Sequence, residues 1–276
     1  MPGMLYIVGT PIGNLGDLSP RALETLMTCD FIAAEDTRVT RKLLTHFDFK
    51  KELLPYHEHN RKEAGERILG RMMAGETCAL VTDAGMPAIS DPGEDLVNSC
   101  HENGIPVASV PGPSAVVTAL ALSGLHTARF TFEGFLSVSK KSRREHLASL
   151  VNETRTMVFY EAPHKLPATL RDMYEAFGDR RIALVKEITK IHENAERTTL
   201  KDAAEKYETV KPKGEYVLII EAKTQAEIDE SQTEDPVALA KSLLEQGLSA
   251  SEAAKQAARL TGVKKGDIYK QLLNEE

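Results

Sequence analysis

The sequence predicts an α/β protein: two α/β domains at residues 1–124 and 125–223, an acidic linker at 224–236, and a small helical segment at 237–276. Three observations predict it. Short β-branched runs alternate with segments of helical length, the signature of α/β units. The 276 residues suffice for two moderate domains without disulfide or metal staples. Turns rich in glycine and proline follow the apolar runs, where the ligand loops of such sheets lie.

The elements follow in order. Leu5 to Val8 reads as a strand, and Ser19 caps a helix that starts at Pro20, a favoured first residue. Phe31 to Ala34, Cys78 to Thr82 and Val107 to Val110 read as further strands. Ser114 caps the apolar helix AVVTALALS, which Gly124 closes. In the second domain FTFEGF, TMVFYE, RIALVKEI and EYVLIIEA read as strands, with helices in HKLPATLRDMYEAF and TTLKDAAEKYE. The segment TQAEIDESQTEDP holds five acids and no bases, which marks a linker. Beyond it, apolar spacing broken at Gly247 and Gly262 predicts two or three short helices. The second break resembles a helix-turn-helix; the segment reads either as a small helical appendage packed on the main body or, because Lys255, Arg259, Lys264, Lys265 and Lys270 cluster there against few acids, as a nucleic-acid binder.

Composition excludes several classes. With 42% hydrophobic and 27% charged residues, the chain is neither disordered nor a coiled rod. The formal charge of −7 excludes a generally basic nucleic-acid coat but leaves room for a local patch. Cys29, Cys78 and Cys100 have no CxxC spacing, so they read as reduced core thiols of a cytoplasmic protein. The start MPGMLYIVG lacks the charged region of a signal peptide, and the longest uncharged stretch, 103–128, is interrupted by Pro106, Pro111 and Pro113. We therefore expect neither a targeting signal nor a membrane partner.

Chemistry is expected in the loops. Gly9, Gly13 and Gly16 in VGTPIGNLGDL do not match GxGxxG, and no segment matches the P-loop, which removes the simplest support for hydride transfer or nucleotide hydrolysis. In VTDAGMPAISDPGEDL, Asp83 and Asp91 stand among Ala84, Met86, Ala88 and Ile89, a setting that suits an uncharged ring better than a hard cation. Ser114 and the amides of Ala115 and Val116 open a helix and offer donors. Polar groups also crowd AAEDTR (33–38), YHEHN (56–60) and YEAPHK (160–165). His57 and His59 lack a third ligand for zinc, and no metal is expected. Lys140, Lys141, Arg143 and Arg144 gather at a helix start, where cations are unfavourable and call for an anionic partner such as RNA phosphate.

The motifs VGTPIGNLGD, AEDTR, YHEHN, TDAGMPAISDPG, VPGPSAVV and YEAPHK stand in the order and spacing of the bacterial ribosomal small subunit methyltransferase I family, which the chain resembles over residues 4–223 and in its helical tail. The resemblance implies a class III S-adenosyl-L-methionine methyltransferase of the tetrapyrrole-methylase fold, with the cofactor in a cleft between two α/β domains. It implies a homodimer acting on 16S ribosomal RNA of the small ribosomal subunit, at the 2′-O of a cytidine. Carried over by motif, Pro11, Asp83, Met86, Ile89, Ser114, Ala115 and Ala162 contact the cofactor. Departures from the family pattern are Lys186 and Lys165 in place of arginine, Ser137 in place of proline, and Thr198 in place of glycine.

Methyl transfer to a sugar hydroxyl needs alignment and a route for the proton. Asp36, Glu35, His57 and Glu161 are the candidate catalytic groups. Arg38, Asn60, His164 and Lys186 are candidates to orient ribose or phosphate, with Lys140, Lys141, Arg143 and Arg144 as the phosphate patch. Two alternatives stand beside this reading. One is a tetrapyrrole C-methyltransferase or a diphthine-synthase-like methylase of the same fold. The other is a non-catalytic nucleic-acid-binding protein that reads its target with the tail.

Overall fold

A computed structural model describes residues 2–228 and 236–274. The chain forms two compact units: 1–124 with 184–196 and 214–217, and 125–183 with 197–213 and 218–276. The first unit thus takes in two segments from beyond residue 124, both inside the span 125–223 that the sequence reading treats as the second domain. Of the expected linker, residues 229–235 lie outside the described residues.

The first unit is built on five parallel strands in the order β3-β2-β4-β1-β5: β1 (Leu5–Val8), β2 (Phe31–Ala34), β3 (Glu52–Pro55), β4 (Cys78–Val81) and β5 (Val107–Val110). Every residue of β2 and β4 is buried, as expected of central parallel strands covered on both faces. The period-two alternation sorts their side chains into two cores. Phe31, Ala33, Cys78 and Leu80 join Ile68 and Met72 of α3 (Arg61–Met73) and Leu96 of α4 (Gly93–Glu102). Ile32, Ala34, Ala79 and Val81 join Leu26 of α1 (Pro20–Thr28) and Leu44 of α2 (Thr37–His46). All three cysteines lie in these cores, and burial pushes the Cys29 and Cys100 thiols up to about 11, so they are inert at neutral pH.

The helix ends follow their residues. Ser19 accepts from the amide of Ala22, with Pro20 first in α1, and Asp36 accepts from the amide of Arg38 at the start of α2. Gly124 takes the left-handed conformation, φ 63°, that ends α5 (Ala115–Ser123). Ser114 occupies the N-cap of α5 but its side chain makes no capping hydrogen bond, contrary to the expectation of a Ser cap. Its hydroxyl and the first amides of α5 are thereby left for other partners.

A second five-stranded sheet has the order β6-β7-β10-β8-β9: β6 (Phe130–Phe135), β7 (Thr156–Glu161), β8 (Arg181–Lys186), β9 (Asn194–Thr199) and β10 (Tyr216–Ile220), with β6 and β7 parallel. Its helices are α6 (Lys140–Ser149), α7 (Leu166–Phe177) and α8 (Leu200–Thr209). The tail forms α9 (Pro236–Glu245), α10 (Ala250–Thr261) and α11 (Lys265–Asn274), closed around Val237, Ala240, Ala254, Ala257, Ile268 and Leu272.

Candidate active site

Three loops meet at the carboxyl ends of β1, β4 and β5, and the sequence dictates how closely. A Cβ at Gly9 would lie 2.7 Å from Gly112 Cα and 2.7 Å from Met86 Sδ, so the first and third loops cross backbone to backbone only because both positions are glycine. The Gly112 amide points to Met86 Sδ at 3.3 Å. Thr10 and Gly85 exchange both backbone hydrogen bonds, at 2.9 and 3.1 Å, and the Thr10 hydroxyl donates to the Thr82 carbonyl at 3.2 Å. Gly85 holds φ at +91°, a conformation that side chains resist. On the accessible rim stand half-buried Pro11, Ile12, Met86, Ser114 and Ala115 beside exposed Asp83, Ala84 and Ile89.

A carboxylate cluster joins this rim. The Thr82 hydroxyl donates to Glu35 Oε2 at 2.5 Å, and the Asp36 amide donates to Asp83 Oδ1 at 3.1 Å. Burial, then the charges of Glu35 and Asp36, hold the Asp83 carboxyl above the usual range. Asp36 behaves oppositely. Arg38 grips it through Nε at 3.0 Å and Nη2 at 2.6 Å, which holds its carboxyl down at about 2. Asp91 is a turn staple: its oxygens accept from the amides of Ala88, Ile89 and Gly93, which supports positive φ at Ala88 and Ser90.

The other sequence candidates fall in distinct settings. Asn60 accepts from the His57 amide at 2.8 Å and donates to the Pro55 carbonyl at 3.0 Å, so its amide is spent on holding the loop. His57 lies half-buried with Nδ1 enclosed and without a hydrogen-bond partner. Among the described residues no group of three or more His, Cys, Asp or Glu is set to hold a metal ion. Glu161 is 2% exposed; Thr169 Oγ1 donates to one of its oxygens at 2.5 Å and the Ala162 amide to the other at 2.8 Å. That engagement makes Glu161 a structural carboxylate. Ala162 is half-buried and His164 exposed in the same turn, and Lys186 is half-buried at the end of β8.

The basic run needs a correction. Arg143 and Arg144 do not wait for an external anion, because Asp172 of α7 supplies it. Arg143 Nη2 lies 2.6 Å from Asp172 Oδ2, Arg144 Nη2 lies 3.2 Å from Oδ1, and the Arg143 side chain is 13% exposed. Arg144 also meets Glu175 at 2.7 Å. Lys140 and Lys141 remain exposed.

Sequence reasoning missed the loop after β8. Glu187 and Thr189 take φ of 52° and 66° without being glycine, and the Thr189 amide donates to Glu193 at 2.7 Å. A Cβ at Gly13 would lie 2.7 Å from Lys190 Cγ and 2.9 Å from Thr189 Oγ1, so this strained loop packs on the first glycine loop of the same unit. The one available signal was Gly13 itself.

Comparison with known proteins extends these findings. The family pattern described as Tetrapyrrole (Corrin/Porphyrin) Methylases matches residues 4–204, and the RsmI C-terminal HTH domain matches residues 230–276. The Ribosomal RNA small subunit methyltransferase I of Synechocystis is 45% identical over 275 residues, covering 99% of each chain. The protein of that name from Thermotoga maritima is 47% identical over 221 residues, which are 80% of this chain and 99% of that protein. Among solved structures, a diphthine synthase superposes with a TM-score of 0.61 at 15% identity, covering 80% of this chain and 91% of that one.

Proposed function

This chain belongs to the ribosomal small subunit methyltransferase I family of tetrapyrrole methylases, and we propose that it methylates small-subunit ribosomal RNA with S-adenosyl-L-methionine as donor. The finer reading is a 2′-O-methylation of a cytidine in 16S RNA by a cytoplasmic homodimer. The relatives' name favours RNA over the tetrapyrrole and diphthine alternatives, and the glycine-built loops favour an enzyme over a passive reader. No helix among the described residues is long and apolar enough to cross a membrane.

The carrying observation is the convergence of three loops around Asp83. Backbone-to-backbone packing at Gly9 and Gly112 leaves a rim that pairs one carboxylate with apolar Ile12, Met86 and Ile89 and with the donors of Ser114 and Ala115. That mixture fits a ligand with a ring, hydroxyls and a carboxylate of its own. When bound, S-adenosylmethionine supplies an electrophilic methyl on sulfur. The protein's task is then to orient the ribose hydroxyl and accept its proton. Glu35 takes the Thr82 hydroxyl and the Asp83 amide on Oε2 alone and is the carboxylate we assign to it, whereas both oxygens of Asp36 are held by Arg38 and both oxygens of Glu161 by Thr169 and the Ala162 amide.

The test is incubation of the protein with methyl-labelled S-adenosylmethionine and either small-subunit particles or naked 16S RNA, followed by alkaline hydrolysis. Label in one alkali-resistant dinucleotide containing cytidine is the expected result. Label on a base, or none in RNA, would overturn it.

A further inference from the structure

The turn between α7 and β8 carries a second group of cations that the methylation site does not use. At Gly178 the chain leaves α7 with φ +74°, and the Gly178 amide caps the Tyr174 carbonyl at 3.0 Å. The same carbonyl accepts from Arg259 Nη2 of α10 at 3.1 Å, a cation set at the negative end of α7. This contact brings the tail against the turn. Together they enclose a cavity of about 400 Å³, whose charged lining is Arg180, Lys223, Arg259, Asp179 and Glu227.

The hydrogen-bond inventory of that lining is unequal. Asp179 Oδ1 takes the amide of Lys201 and Glu227 Oε2 takes the amide and hydroxyl of Thr224, while the charge of Glu227 also acts on Arg180 and Lys223, and Lys223 Nζ donates to Asn152 Oδ1 at 3.2 Å. Arg180 donates Nη2 to the Val151 carbonyl and lies against the Phe177 ring at 5.1 Å, yet its Nη1 is buried with no partner. A guanidinium keeps its proton at any physiological pH, so that N–H is a standing request for an acceptor. Burial lowers the pKa of both Arg180 and Lys223; for Lys223 the charge of Arg180 adds to it, and the charge of Glu227 opposes the shift in both.

We propose that this cavity binds a phosphodiester group of the RNA substrate, clamped between the α7–β8 turn and helix α10. The assignment rests on the RNA reading of the function. Two forked guanidiniums and one ammonium match phosphate oxygens better than any single-donor ligand, and the volume accepts a nucleotide unit. The occupant is RNA in preference to a small anion because the positive surface continues along the tail. Lys255 and Arg259 are four residues apart on one face of α10 and both are exposed, with Lys264 exposed beyond the helix end.

The experiment measures binding of labelled 16S RNA to the full chain across a salt series, for wild type, Arg259→Gln, Lys223→Gln and the double variant. Cofactor affinity and Tm are recorded on the same samples. Each cation lost should lower the slope of log K against log salt by about 0.7 to 0.9, with RNA affinity down about tenfold or more in the double variant and cofactor affinity unchanged. Inorganic pyrophosphate forms the second arm, read as a Tm shift of the free protein. Equal slopes and affinities in the folded variants overturn the proposal. A pyrophosphate shift lost in the variants while RNA binding is unchanged overturns it too, and leaves a small-anion site. Should the double variant fail to fold, Arg259→Gln alone, at an exposed side chain, decides the same comparison. A wild type that binds RNA through this patch but transfers no methyl group would sink the methyltransferase reading instead, so the two failures are distinguishable.

Discussion

The backbone amide of Asp36 donates to Asp83 Oδ1 at 3.1 Å, so the start of α2 fixes the orientation of this exposed carboxylate at the convergence of the three loops. Glu35 and Asp36, consecutive after β2, thus act on Asp83 from the neighbouring strand β4 by charge and by hydrogen bond. Replacement by asparagine keeps an acceptor for the Asp36 amide and removes the charge. Asp83→Asn should weaken S-adenosylmethionine binding by roughly 1.5–3 kcal/mol, measured by calorimetry. Unchanged affinity would remove Asp83 from the cofactor site.

The same carboxylate makes a stability prediction of the opposite sign. Its pKa is raised above 3.8 in the folded protein, so ionising it costs stability. The cost is absent below pH 3.8, grows as pH rises through the raised value, and is complete above it. At pH 7 the Asp83→Asn variant should therefore melt at a higher temperature than wild type in the absence of cofactor, and the difference should shrink on acidification. A lower Tm at pH 7 would contradict this balance.

Gly9→Ala and Gly112→Ala each place a Cβ within 2.8 Å of the other loop's backbone. Backbone cannot rotate away as a side chain can, so each variant should lose about 1–3 kcal/mol of stability and bind cofactor more weakly. Denaturant unfolding and calorimetry read the two effects. A neutral Gly112→Ala would mean that the loops separate freely.

Asp172 is 6% exposed on its side chain and answers two arginines. Removing it as Asp172→Ala leaves a largely buried Arg143 guanidinium without its carboxylate and held only by the Ser137 and Val138 carbonyls, a loss of about 3 kcal/mol in unfolding free energy. Neutralising Lys140 and Lys141 should lower the salt slope of RNA binding, whereas Arg143→Gln should act on stability with little change of slope. An equal slope loss from either arginine would show that Asp172 releases them to RNA.

Truncation after Lys223 should leave cofactor affinity intact and weaken RNA binding. Loss of cofactor binding in the truncated protein would make the tail part of the first site's support.

Much of this was legible in sequence because burial and turn chemistry are local. LYIV, FIAA and CALV announce strands by β-branched or small apolar runs, and the glycines and prolines after them announce the loops. ELLP and NAERTT were not read as strands, and each lies at the edge of its sheet, where polar residues and short length are tolerated. The Arg143 partner was hidden by distance, since Asp172 lies 29 residues away and no local charge count reaches it. The positive φ at Glu187 and Thr189 was hidden for another reason: nothing in those residue types asks for it, and only packing on Gly13 holds it. Among the candidate catalytic carboxylates, sequence names Glu35, Asp36 and Glu161 alike, and they differ only in that Asp36 and Glu161 have both oxygens hydrogen-bonded while Glu35 is bonded through Oε2 alone.

The tail closes largely on small side chains, with Ala240, Ala253, Ala254 and Ala257 all 0% exposed. Each alanine removes little surface from water, so the seam between α9, α10 and α11 contributes a modest share of the hydrophobic stabilisation supplied by the isoleucines and leucines of the two sheets. The consequence is a hierarchy in amide hydrogen exchange. Amides of α10 should exchange through a sub-global opening at lower free energy than those of β4 or β10, which exchange only when a whole sheet comes apart.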